Sequence, residues 1–188
     1  MTIVRFTKFA DSTAEEWKVI GDKFTVYEHG LVDRLLGALE RLKGGDLGYP
    51  VDRYEHSLQT ATRALRAGAD EETVVCGLFH DIGDDLAPVN HGALAAEILR
   101  PYVSPLNYWM VRNHEPFQGY YYNHFFGGDR FAREKHRGHP GFERTAKFCD
   151  EWDQTAFDPN YDTMPLAAFR PAVERIFGRT PWGEHTKE

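Results

Sequence analysis

Six side chains have types and spacing suited to metal binding: His56, His80, Asp81, His91, His114 and Asp153. His80 and Asp81 are adjacent in GLFHDIGDD, at the end of an apolar stretch and just before Gly83. An HD dipeptide is common by itself, and each His or Asp taken singly is more often a core or surface residue than a ligand. The set carries more weight. Four imidazoles and two carboxylates exceed the four ligands of a structural zinc site, and no thiolate accompanies them, so the pattern favours two ions held by nitrogen and oxygen. A carboxylate can bridge two cations with its two oxygens and relieve their repulsion; Asp81 is assigned that place.

These residues must be positioned by helices. Gly and Pro punctuate the sequence into helix-length pieces, and period-two stretches of Val, Ile and Thr are nearly absent beyond a short candidate strand at Ile3 to Phe6. The expected architecture is all-α. Ser12 and Thr13 ahead of Glu15 and Glu16 form a capping-box pattern, followed by an apolar stripe from Trp17 through Ile20, Phe24, Tyr27 and Leu31 to Leu42, which Gly21 and His29–Gly30 divide. Residues 43–50 read as a loop containing Tyr49. Helices are expected near 54–67, 70–80, 91–103, 105–113, 118–126, 129–136, 142–153 and 166–177, with a polar, frayed tail after Gly178. His56, His91, His114 and Asp153 then lie on or beside helix ends, suited to meeting in a bundle core.

A chain of 188 residues fits one domain, 1–188, with N-terminal helices over 12–43, a metal-binding core near 45–155 and a C-terminal helix near 165–178. Apolar runs are too short to cross a bilayer, the first residues lack secretory-signal features, and Cys76 and Cys149 read as buried thiols, so the cytoplasm is the expected compartment. A net charge of −7 argues against a nucleic-acid partner. Arg130, Arg133, Lys135, His136 and Arg137 form a basic stretch that reads first as a solvated face and second as an anion patch.

In its order of a His, an HD pair and a distal Asp, the sequence resembles the HD-domain superfamily, and His91 and His114 match the version that holds two metals. The resemblance covers about residues 45–155. It implies a helical bundle with a dinuclear core site: one ion on His56, His80, Asp81 and Asp153, the other on His91, His114 and the second oxygen of Asp81. Most members are phosphohydrolases, whereas a small branch uses a mixed-valent diiron centre and dioxygen. The segment YPVDRYEHSLQTATRALRAGADEETVVCGLFHDIGD looks closest to that branch, which cleaves 1-hydroxyphosphonates or oxidises inositol.

That resemblance implies an O2-dependent oxygenase in organophosphonate catabolism, with two Fe ions, Fe(II)/Fe(III), breaking a carbon–phosphorus or carbon–carbon bond of a small hydroxylated substrate such as a 1-hydroxy-2-(alkyl)aminoethylphosphonate. The alternative is a phosphohydrolase acting on a nucleotide or other phosphoester with Mn, Mg, Co or Ni. Asp81, Asp84 and Tyr49 are the candidate catalytic residues. Tyr49 matches a loop tyrosine that caps an iron in the phosphonate-cleaving members, though an ordinary packed tyrosine is the competing reading. Asp84 stands where relatives carry His or Lys, so it would suit a hydroxyl or ammonium group, or an anion only if a base paired with it. Gln118, Tyr120, Tyr121 and Arg144 complete the expected substrate and supporting residues; the aromatic run around Tyr120 reads first as a core stripe and second as a cation-binding box.

Overall fold

The computed structural model describes residues 3–187, which contain eight α-helices and no strand. These are α1 (Ala14–His29), α2 (Leu31–Glu40), α3 (Arg53–Arg66), α4 (Glu71–Phe79), α5 (His91–Leu99), α6 (Pro105–Tyr122), α7 (Phe142–Phe148) and α8 (Leu166–Phe177). The all-α expectation therefore holds. The candidate strand does not: Ile3 to Phe6 has no regular structure, and with no strand among the described residues it would have no ladder to join.

The chain divides into two compact units, Met1–Gly37 and Ala38–Glu188. In the first, the capping box forms as expected, Thr13 accepting from the Glu16 amide while Glu16 accepts from that of Thr13. Gly21 does not interrupt α1; Gly30 ends it. Along α1, Phe24, Val26 and Tyr27 are exposed.

The second unit has a core of helices packed in pairs: α3 on α4, α5 on α6, α6 on α7, and α4 on α8. Ala61, Ala64, Val75, Leu78, Phe79, Leu99, Val111, Phe117 and Phe148 are fully buried. Burial of such chains contributes roughly 1.5–3 kcal/mol each for the larger ones, before the entropy of ordering is subtracted. Side-chain caps set the helix starts: Asp52 accepts from the Glu55 amide, Asp70 from Thr73, and Ser104 from Asn107.

The expected helix near 129–136 is only a 3-10 turn, Ala132–His136, and three further boundaries differ from the sequence reading. The stretches near 105–113 and 118–126 merge, since α6 runs through Pro116. Pro116 removes one backbone donor, but Met110, Val111, His114 and Phe117 are buried along both halves, and tertiary packing outweighs the local break. The expected helix near 91–103 ends at Leu99 with Arg100 as its cap, because Pro101 has no N–H to continue the hydrogen-bond ladder. Finally, the tail is not frayed. Arg179 donates to the carbonyl of Tyr102, and Trp182 N–H and the His185 ring both bond to the carbonyl of Pro101.

Candidate metal centre

Local structure explains where each donor points. His56 lies in the first turn of α3, held by the Asp52 cap. His80 caps the C-terminus of α4 and Asp81 follows it. The chain then turns back against the start of α5, and this close approach needs Gly83: a Cβ there would stand 2.5 Å from the carbonyl oxygen of His91. His91 opens α5 and His114 sits inside α6. Asp153 ends a π-helical turn, Cys149–Asp153, closed by the Gln154 amide donating to the Cys149 carbonyl at 3.0 Å. A π-turn inserts an extra residue into the helix and so redirects the side chains that follow it.

The four imidazoles share one arrangement. Their Nδ1 atoms face backbone carbonyls: His56 to Ala156 at 3.0 Å, His80 to Gly77 at 2.8 Å, His114 to Val111 at 2.7 Å and His91 to Pro88 at 3.3 Å. A carbonyl only accepts, so each Nδ1 carries the proton and each Nε2 presents a lone pair inward. The Nε2 atoms of His56 and His80 are 3.2 Å apart, and those of His91 and His114 are 3.3 Å apart. Lone pairs facing each other at that distance repel unless a proton or a cation lies between them.

The carboxylates complete two overlapping donor sets. Asp81 Oδ2 is 3.4 Å from His56 Nε2, while its Oδ1 is 3.4 Å from His80, 3.3 Å from His91 and 3.4 Å from His114. Asp153 Oδ1 lies 3.2 Å from His56 and 3.5 Å from His80. Thus His56, His80 and Asp81 form one group able to hold an ion and Asp81, His91 and His114 another, with Asp81 common to both; His80, His114 and Asp153 form a third. His56, His80, His114 and Asp153 are fully buried. Asp81 Oδ1 and Asp153 Oδ2 are buried without any hydrogen-bond donor, a costly condition that a cation would relieve. The donor set fits two ions.

With protons alone, electrostatics partly substitutes. Burial pushes the Asp81 and Asp153 carboxyls up, but the surrounding imidazoles outweigh it and hold both well below the usual range. Burial likewise opposes charge on His80 and His114, yet the two aspartates hold both rings above histidine's ordinary value.

Around this core, the other candidate residues divide. Asp84 stays beside the cluster, its Oδ2 2.8 Å from Arg53 Nε and its Oδ1 3.0 Å from His91 Nδ1. Gln118 also reaches it, donating through Nε2 to Asp153 Oδ1 at 2.8 Å. Tyr49 is half exposed and stacks on Phe157, whose ring stacks on His56, so one ring separates it from the donors. Tyr120, Tyr121 and Arg144 are directed elsewhere. Tyr121 donates to Asp150, Tyr120 lies against the Arg130 and Arg133 guanidiniums, and both tyrosines line a cleft of about 610 Å³ with Arg133 and Lys147. Arg144 donates to Thr73 and Asn107 and lines a different cleft with Trp152.

Three neighbours of the cluster escaped the sequence reading. Arg53, one turn before His56, donates to Asp81 Oδ2 at 3.2 Å as well as pairing with Asp84. Its i, i+3 spacing from His56 was the available signal. Glu115 accepts from the Gly92 amide at 3.0 Å with its Oε1 3.5 Å from His91 Nε2. Phe157 lies in a loop, where no periodicity announces it. His91 is the one imidazole of the four with side-chain exposure, 14%, so the cluster opens to solvent on that side.

Among known families, the HD domain matches residues 53–156, a span that contains all six donors. No curated protein matches the chain. Among the described residues, no helix is long and apolar enough to cross a membrane.

Proposed function

Because the chain belongs to the HD-domain family, we propose that it is a diiron oxygenase that uses dioxygen to cleave a carbon–phosphorus or carbon–carbon bond in a small hydroxylated substrate. The carrying observation is the pair of nitrogen–oxygen donor sets joined at Asp81, which also leaves room for the phosphohydrolase reading. The resemblance of the EHSLQ segment to the oxygenase branch favours dioxygen.

Bound as a pair, two irons would supply a site for dioxygen activation and a position for a substrate hydroxyl, with the electrons for dioxygen reduction coming from the substrate that is oxidised. The protein's part is placement. Carbonyl partners hold each imidazole with Nε2 inward, and full burial of His56, His80, His114 and Asp153 keeps bulk water from that side. Substrate enters beside His91, where Glu115 offers an acceptor. Candidate substrates are hydroxylated organophosphonates, including ones bearing an alkylated amine, and small polyols.

Iron analysis with electron paramagnetic resonance, followed by turnover under 18O2, tests this reading. Label in the product and a mixed-valent signal are the expected results. Iron-loaded protein that consumes no oxygen across hydroxyphosphonates and polyols, while the manganese-loaded protein releases phosphate from phosphoesters, would replace it with the hydrolase.

A further inference from the structure

Arg53 stands outside the donor set, yet it touches both aspartates of the HD turn. Its Nη1 donates to Asp81 Oδ2 at 3.2 Å, and its Nε pairs with Asp84 Oδ2 at 2.8 Å. The side chain is 17% exposed and its guanidinium lies over the Tyr49 ring at 5.0 Å. The Asp81 contact is a directed hydrogen bond, whereas the Asp84 contact is an ion pair whose Nε–H is not aimed at the carboxylate, so Arg53 ties Asp81 by direction and Asp84 by charge.

We infer that Arg53 and Asp84 are positioning residues forming a clamp that sets the affinity of the second ion, the one on His91, His114 and Asp81; this rests on the two-ion reading above. Two observations make that half the sensitive one. Arg53 holds Asp81 Oδ2, the oxygen 3.4 Å from His56, and this orients Oδ1 toward His91, His114 and His80 at 3.3, 3.4 and 3.4 Å. His91 is also the least anchored imidazole: it begins α5, its Pro88 contact of 3.3 Å is the longest of the four, and Asp84 Oδ1 lies 3.0 Å from the same Nδ1. His56 and His80, by contrast, are buried and carry carbonyl bonds of 3.0 and 2.8 Å. Freeing the clamp therefore loosens one half-site and spares the other. Asp84 acts here as the link between Arg53 and His91.

The test is titration of metal-stripped full-length protein with Mn(II), following heat and the spin-coupled resonance of a manganese pair. Wild type should take up two ions. In Arg53→Met and in Asp84→Asn, affinity for one ion should fall about 10–100-fold, the scale for losing a group that orients a ligand, with the other held within about threefold. The double variant should be no worse than either single one, because both cut the same clamp. Arg53→Lys, which keeps the charge without the fork, should fall between. Wild type with two ions and variants with unchanged affinities, the outcome if Arg53 served only substrate, would overturn the clamp alone. So would an equal loss of both ions. Wild type that takes up a single ion would overturn the two-ion reading and the clamp with it.

Discussion

Asp81 meets four imidazoles with two oxygens, one toward His56 and the other toward His80, His91 and His114. No other side chain of the cluster is common to both halves as they are proposed here. Asp81→Ala should therefore abolish binding of both ions, whereas Asp153→Ala should weaken mainly the His56/His80 half. Losing a partner that merely orients a ligand costs about 10–100-fold, so losing the ligand itself costs at least that much. Metal-to-protein ratios by mass spectrometry check both; retention of two ions by Asp81→Ala would remove it as the bridge. Gly92 is a subtler probe. A Cβ there would stand 2.9 Å from the His114 ring and 3.1 Å from Glu115 Oε1. Gly92→Ala should cost about 1–3 kcal/mol as overpacking, read by denaturant unfolding of the metal-free protein.

At the scale of elements, Glu72 ties three of them together. Near the start of α4, it accepts from the Ser104 amide at 2.7 Å and from Asn107 at 2.8 Å, at the start of α6, and it pairs with Arg179 beyond α8. Burial pushes its carboxyl up, but the donors of Arg179, Ser104 and Asn107 outweigh that and hold it below the ordinary value. A depressed carboxyl stabilises the fold above its unfolded pKa of about 4.3, and that contribution is lost as pH falls through the lower folded value. Glu72→Gln should cost about 1.5–3 kcal/mol near neutral pH, the range for hydrogen bonds to a charged group, and should flatten the acid limb of stability. Urea melts from pH 3 to 7 would show it, and an acid limb unchanged from wild type would count against this role.

For the whole molecule, the cluster couples folding to its ions. His80 and His114 are held above histidine's ordinary value by the aspartates despite burial, so in the metal-free protein their stabilisation is full below about pH 6.5 and lost as pH rises through the higher folded values. Metal takes over the same lone pairs. Metal-free protein should thus lose stability on the alkaline side, and the metal-loaded protein should not. At an ion concentration about 100 times its dissociation constant, binding adds about 2.7 kcal/mol, or roughly 5–10 °C in Tm for a chain of this size. Scanning fluorimetry with and without chelator at pH 6 and pH 9 measures both effects, and a chelator-insensitive Tm would contradict them.

Residue type and order alone pointed to the helical class and to six side chains that the fold brings together. Apolar periodicity and the order of the four His and two Asp are properties of the linear chain, and the Asp52, Asp70 and Ser104 caps act within three residues of themselves. Tertiary structure decided the rest. Whether Pro116 ends a helix depends on what buries Val111 and Phe117, and whether the tail frays depends on the Pro101 and Tyr102 carbonyls far back in sequence. Arg53 and Asp84 likewise lie 31 positions apart, and their pairing exists only because the HD turn folds back over the start of α3. Aromatic neighbours of His114 were drawn into the expected pocket by proximity along the chain, but a helix rotates successive side chains by about 100°. Tyr120 and Tyr121 consequently face Arg133 and Asp150, while Gln118 faces Asp153. Direction is set by packing, which no single stretch of sequence contains.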